Sequence, residues 1–227
     1  CDPGEAEEMT GHAAALVLNI GTIQYQSFES MIMAGKKAIA SGKPVIFDPV
    51  GVGATALRTT AAKRIIEEVR PTVIRGNMSE VKTLAGLEAS IRGVDSIACE
   101  EDGEAIAVEL SRRLGCVVAI TGKIDVVALN DEVCFIANGH PYLAGVTGTG
   151  CMATSLIGSC CGTGVSPFLG AIAGITIMGI AGEIAFGQLK PGDGLGTFRI
   201  KLFDAVSTMS AEAIVEYAKL NLKRRGS

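Results

Sequence analysis

Pro44-Val45-Ile46-Phe47-Asp48 is an apolar run closed by a single acid. A strand without polar alternation has both faces covered, which marks a parallel strand inside an α/β sheet. Upstream, residues 13–20 (AAALVLNI) form a second such run ending in Gly21-Thr22. Between the two, residues 27–40 carry helical periodicity and stop at Ser41-Gly42. Downstream, residues 59–69 read as a charged amphipathic helix and 72–74 as a third strand running into Arg75-Gly76-Asn77. Residues 79–85 and 105–114 read as helices and 116–120 as a fourth strand. The alternation predicts an α/β fold, a mostly parallel sheet with helices on both faces. The pattern then changes. Residues 126–129 and 133–136 flank Asn130-Asp131-Glu132, a hairpin signal that puts antiparallel strands at a late edge. A loop over 139–150, two apolar helices, a Gly-rich loop over 191–196 and a final helix from about 204 to 222 are expected after it. No repeat or linker interrupts the chain, so residues 1–227 read as one domain.

Composition narrows the function classes. The chain has 227 residues, 48% hydrophobic and 19% charged, with net charge −4, which describes a globular protein without a nucleic-acid surface. Lys223-Arg224-Arg225 reads as a solvated helix terminus. Seven cysteines without CxxC spacing, and two histidines that do not adjoin them, disfavour a zinc site or a disulfide framework and favour a reducing cytoplasm. The opening Cys1-Asp2-Pro3-Gly4-Glu5 resembles a helix start with Asp2 as N-cap, and without an initiator Met the chain reads as starting inside a longer protein. Residues 146–182 carry no charge, but Gly164-Val165-Ser166-Pro167 divides them, and 168–180 falls short of the roughly 20 residues a spanning helix needs. Gly170, Gly174, Met178 and Gly182 recur every four residues, as in a small-residue packing face, so a buried helix pair is expected and no membrane partner.

Ligands of such sheets bind at the carboxyl ends of the strands. Asp48, Arg75 with Asn77, and Thr121 end three of them, and Glu80 follows Asn77 by about one helical turn, so all should share a rim. Asp48 and Glu80 suit magnesium, which takes few carboxylates plus phosphate oxygens. Arg75 can clamp phosphates with its fork of donors. Val146-Thr147-Gly148-Thr149-Gly150-Cys151 opens a helical run. Unpaired N–H groups and the helix dipole there suit an oxyanion, with Thr149, Gly150 and Cys151 as the anion hole. The same position makes Cys151 a candidate proton acceptor. Gly51-x-Gly53-x-x-Ala56 and Gly148-x-Gly150-x-x-Ala153 match a loose dinucleotide fingerprint without its full context. There is no GxxxxGK[ST]. His140 reads as a structural turn residue, and Cys160-Cys161 as helix packing.

Several stretches resemble the hydroxyethylthiazole kinase family of the ribokinase-like superfamily. They are Leu18-Asn19-Ile20-Gly21-Thr22, Phe47-Asp48-Pro49-Val50-Gly51-Val52-Gly53-Ala54-Thr55, Ile74-Arg75-Gly76-Asn77-x-x-Glu80, Arg92-Gly93-Val94-Asp95-Ser96, Ile120-Thr121-Gly122, Asn138-Gly139-His140 and the run ending in Cys151. The resemblance implies phosphoryl transfer from ATP to the primary alcohol of 4-methyl-5-(2-hydroxyethyl)thiazole in thiamine salvage. It implies ATP contacts at Arg75 and Thr121, magnesium at Asp48 and Glu80, substrate at Gly148, Cys151 where most ribokinase-like enzymes have an Asp base, and a homotrimer with sites between subunits; Asn77, on the same rim by its spacing from Glu80, is expected to join the ATP site. Nothing here matches the family's N-terminal segment with its His-Asn-Ile-Thr-Asn-like motif, a strand and a helix. The kinase domain therefore reads as N-terminally incomplete, with an exposed sheet edge and weaker thiazole binding expected. The alternative is an impaired or truncated homologue that keeps only nucleotide binding or oligomerisation. A nicotinamide-dependent oxidoreductase built on Gly51-x-Gly53 stands third.

Overall fold

A computed structural model describes residues 3–86 and 100–224. Asp2, the 92–96 motif, Cys1, Cys99 and Arg225 lie outside them. The sheet has seven strands in sequence order: β1 Leu16–Asn19, β2 Val45–Asp48, β3 Val73–Asn77, β4 Val117–Thr121, β5 Asp125–Leu129, β6 Glu132–Ile136 and β7 Leu220–Arg224. The first four are parallel, and β4 through β7 pair antiparallel. The chain opens with α1 Pro3–His12, whose last carbonyls at Thr10 and Gly11 accept from Lys43 Nζ at 3.0 and 2.5 Å.

Successive parallel strands that step in one direction through right-handed crossovers put every connecting helix on one face. Those helices are α2 Tyr25–Ala40, α3 Ala56–Val69, α4 Met78–Ala85 and α5 Glu100–Leu114. Their core takes Leu18, Phe47, Ile74 and Ile120 from the strands. Ile46, Val73, Val117 and Ala119 pack on the opposite face, against α7 Thr149–Cys161 and α8 Pro167–Gly187. The two-residue period of a strand then dictates which side chains reach that second face at the strand ends: Asn19, Asp48, Arg75 and Thr121. Register sets Asn19 beside Asp48 and Asn77 beside Thr121.

The chain departs from its sequence reading in several places. The loop expected over 139–150 contains α6 Tyr142–Gly145, and α7 begins at Thr149 with Gly148 as its cap, not after Gly150. α3 starts at Ala56, because Thr55 Oγ1 accepts from Arg58 N at 3.3 Å and caps the helix earlier than residue 59. α8 is 21 residues, not a short piece. It is long and apolar enough to cross a membrane, yet 72% of its apolar window is buried within the molecule. The Gly-rich loop ends early, since α9 Leu195–Ser207 already runs through Gly196 and buries Phe198, Leu202 and Ala205. Finally, the helix expected over 204–222 is three elements. Ser210 Oγ accepts from Ala213 N and starts α10 Ala211–Tyr217, Ala218 turns extended, and β7 follows. Lys223 and Arg224 therefore belong to a strand, not a helix terminus, and Lys223 Nζ lies 4.5 Å over the Phe135 ring.

Candidate active site

α7 lies against β1 and β2, and its first turn reaches the rim where the parallel strands end. Gly148, at φ 98°, gives the helix its entry. A Cβ is strained in this left-handed region, so glycine is the residue the turn requires. Thr149 Oγ1 donates back to the carbonyls of Leu143 and Val146 at 2.9 and 3.1 Å. This stakes the turn. The Thr149 N–H makes a long bond to the Val146 carbonyl at 3.5 Å, and the N–H groups of Gly150 and Cys151 follow in the first turn, where a helix has no intrahelical acceptor for them.

Asp48 is fully buried. Its Oδ2 accepts from Asn19 Nδ2 at 3.0 Å and from Thr154 Oγ1 at 2.9 Å. Its Oδ1 has no hydrogen-bond partner and stands 3.9 Å from Arg75 Nη1. Burial pushes this carboxyl above its ordinary range; the charge of Arg75 and the Thr154 hydroxyl pull it back, and the nearby Glu80 adds to the rise. Arg75 donates through Nη2 to Thr121 Oγ1 at 2.5 Å and leans on Gly150, where a Cβ would stand 2.7 Å from Nη1. Cys151 is exposed, and its Sγ accepts from Asn19 Nδ2 at 3.2 Å. One contact row therefore runs Cys151, Asn19, Asp48, Arg75, Thr121.

Asn77 and Glu80 are engaged differently. Asn77 Oδ1 accepts from Glu80 N at 2.9 Å while Glu80 Oε2 accepts from Asn77 N at 2.8 Å, a reciprocal cap on α4. Glu80 Oε1 also accepts from Gly51 N at 3.0 Å and ties down the loop after β2. Among the described residues no group of three or more potential protein ligands gathers for a metal. Magnesium carried by phosphates needs only one or two carboxylates. The buried, unpartnered Asp48 Oδ1 fits that need, whereas both oxygens of Glu80 already accept from backbone N–H groups of Gly51 and Asn77.

A cleft of about 800 Å³ opens beside the row, lined by Arg75, Asn77, Thr121, Asp125, His140 and Met178 among others. His140 is the turn residue expected: its Nδ1 accepts from Tyr142 N at 3.2 Å and its ring stacks on Phe186 at 3.6 Å. Asp125 was not foreseen. Its Oδ1 accepts from Gly122 N at 2.8 Å and so shapes the turn after Thr121, and burial pushes its carboxyl up to about 7. Asn19 and Thr154 were missed as well. Each carried a signal, Asn19 as the only polar side chain in an apolar strand run and Thr154 three residues along the helix from Cys151.

A guanidinium beside a helix N-terminus suits a polyanion. A buried carboxylate beside them suits a cation, and an exposed thiol at the mouth suits proton exchange with an acceptor. The model of the hydroxyethylthiazole kinase family matches residues 1–212. The hydroxyethylthiazole kinase of Alkaliphilus oremlandii is 48% identical over 97% of this chain and 82% of that protein. That of Ruminiclostridium cellulolyticum is 45% identical over 97% and 81%. The solved hydroxyethylthiazole kinase of Pyrococcus horikoshii OT3 superposes with TM-score 0.87 at 32% identity over 97% of this chain and 82% of its own. A Staphylococcus aureus pyridoxal kinase in complex with ADP, 17% identical, shares the ribokinase-like fold at TM-score 0.63 over 97% of this chain and 77% of its own. On the match of its sequence and of its fold, this chain belongs to the hydroxyethylthiazole kinase family.

Proposed function

We propose that the chain transfers the terminal phosphoryl group of ATP to the primary alcohol of 4-methyl-5-(2-hydroxyethyl)thiazole, a step of thiamine salvage. The observation that carries the reading is the row Cys151, Asn19, Asp48, Arg75, Thr121 set at the first turn of α7. Phosphoryl transfer needs positioning and charge neutralisation more than covalent catalysis, and this row offers both. Arg75, Thr121 and Asn77 would hold the nucleotide, and Gly148 would lie at the thiazole. The N–H groups of Thr149, Gly150 and Cys151 would stabilise the charge that develops on the transferred group. Asp48, with Glu80 nearby, would hold magnesium, which when bound would neutralise charge on the phosphate oxygens. The Cys151 thiolate takes the proton of the acceptor hydroxyl, and that oxygen forms the new bond to phosphorus. The bond from phosphorus to the bridging oxygen breaks, and ADP leaves with its electron pair.

The same reading has residues 1–227 as one kinase domain and the protein as a cytoplasmic homotrimer, with neither nucleic acid nor membrane as partner. Exposed Ile200 and Phe203 on α9 and Val215 on α10 support subunit contacts, being apolar surface that a second copy would cover. Coupled ADP release with hydroxyethylthiazole, ATP and magnesium tests the activity. ATP binding in a calorimeter with no phosphorylated thiazole would replace the kinase reading with that of a nucleotide-binding homologue. Sedimentation equilibrium tests the trimer.

A further inference from the structure

The contact row has one member with no assigned part in the chemistry. Asn19 ends β1, and its amide nitrogen stands 3.0 Å from Asp48 Oδ2 and 3.2 Å from Cys151 Sγ. Which end of the amide faces them is decided by the other end. Oδ1 accepts from Gly21 N at 2.8 Å, and a backbone N–H can only donate, so the NH₂ must point at the acid and the sulfur. The loop that carries Gly21 is fixed in turn. Arg58 donates to the carbonyls of Ile20, Val50 and Gly21 at 2.6, 2.9 and 3.0 Å. A guanidinium on α3 thus holds the turn, the turn holds the amide, and the amide holds two reactive groups.

A primary amide nitrogen carries two protons, so it can serve two acceptors at once. Few side chains do this without adding charge. A hydroxyl has one proton, a carboxylate has none to give when ionised, and lysine would add a positive charge beside Arg75. In the transfer proposed above Asp48 acts as a carboxylate and Cys151 as a thiolate before the proton moves, and two such groups side by side repel. A neutral donor shared between them lets both stay in place.

We propose that Asn19 is a positioning residue for the transfer, one amide proton orienting the Asp48 carboxylate and the other the Cys151 sulfur. The proposal rests on the kinase reading for its consequence in catalysis, but not for the hydrogen bonds themselves, so it is tested at both levels. The direct level needs no substrate. In ¹⁵N-labelled full-length protein, Asn19→Ser identifies the side-chain amide pair by its disappearance. Cys151→Ala is then expected to shift one proton of that pair and leave the other near its original position. A pair that does not respond to Cys151→Ala overturns the proposal.

The catalytic level is a double-mutant cycle. Asn19→Ala is expected to lower kcat by about tenfold to a hundredfold, the range of one lost bond to a charged group, with the KM for ATP within about threefold. In the Cys151→Ala background the same change is expected to cost several-fold less, because one of its two partners has already gone and only the bond to Asp48 remains to be lost. Equal losses in both backgrounds overturn the proposal. Melting curves exclude a variant that has failed to fold, and Asn19→Ser, which keeps one donor, is expected to fall between Asn19→Ala and the native enzyme. If the native protein does not turn over hydroxyethylthiazole, the kinase reading fails, and the resonance experiment alone decides the role of Asn19.

Discussion

At the scale of single residues, the site separates side chains that touch the reactants from those that hold others still. Cys151 is exposed at the first turn of α7, where the acceptor alcohol would arrive. Cys151→Ala is expected to lower kcat by about a hundredfold, the low end for a positioned proton acceptor. ATP affinity by calorimetry should stay nearly unchanged, because Arg75 and Thr121 remain; loss of ATP binding would make Cys151 structural. Asp125 predicts a pH effect of definite sign. Burial raises its carboxyl to about 7, against the hydrogen bond from Gly122 and the charge of Arg75. The fold therefore binds this proton more tightly than the unfolded chain, where an Asp titrates near about 3.9. Stability from this group is full at low pH and falls as pH rises from about 4 to about 7, by a few kcal/mol at most. Asp125→Asn has no such proton to lose. Its urea midpoint should fall less than the native midpoint between about pH 5 and pH 7.5, and parallel curves would show that the carboxyl ionises without cost in the fold.

Among the elements, the α7–α8 pair joins stability to the site, since α7 brings Gly148 through Cys151 to the rim. Its closeness depends on small residues. A Cβ at Gly170 would stand 2.5 Å from Cys161 Sγ, and one at Gly174 would collide with the Ile157 backbone. Gly174→Ala should therefore force the helices apart at a cost of about 1–3 kcal/mol. Calorimetry would read that as a lower Tm, by about 2–4 °C per kcal/mol for a domain of this size. An unchanged Tm would mean the pair can shift without strain. This contact was legible in the sequence as glycines four apart, and so were the parallel strands, because short apolar runs closed by turn residues fit a strand covered on both faces. The end of the chain was not. Residues 204–222 keep enough helical period to hide a break at Ser210 and another at Ala218, and the alternation in Leu220-Asn221-Leu222 is too short to announce a strand. What makes it one is the open edge of β6, a partner distant in sequence. The same limit hid Asn19, whose meaning depends on Asp48 and Cys151 lying 29 and 132 positions away.

Across the whole molecule, that late strand is wired to the cleft. Lys219 N donates to Asn138 Oδ1 at 2.8 Å, and Asn138 Nδ2 donates to Tyr217 O at 2.9 Å. Glu183 on α8 completes the link: its Oε1 accepts from Gly139 N at 2.8 Å and from Asn138 Nδ2 at 3.3 Å, and it pairs with Lys219 Nζ at 2.9 Å. Asn138, Gly139 and His140 line the same cleft as Arg75 and Thr121. The ion pair itself contributes little, because Lys219 is largely exposed and water screens it. The bonds to Gly139 and Asn138 contribute more, because they fix main chain beside the space a nucleotide would fill. Glu183→Ala removes the one oxygen that accepts both bonds and should cost about 1–2 kcal/mol of stability. Its effect on catalysis should be confined to binding. The row from Cys151 to Thr121 is built on other elements and keeps its geometry, so kcat should hold while the KM for ATP rises severalfold. Glu183→Gln retains an acceptor for Gly139 and should restore most of that KM, whereas Lys219→Met should change it little. Steady-state kinetics on the three variants separate the two contributions. A fall in kcat with Glu183→Ala would mean that this lining and the phosphoryl-transfer row move together, and that the edge strand acts on the chemistry as well as on the pocket.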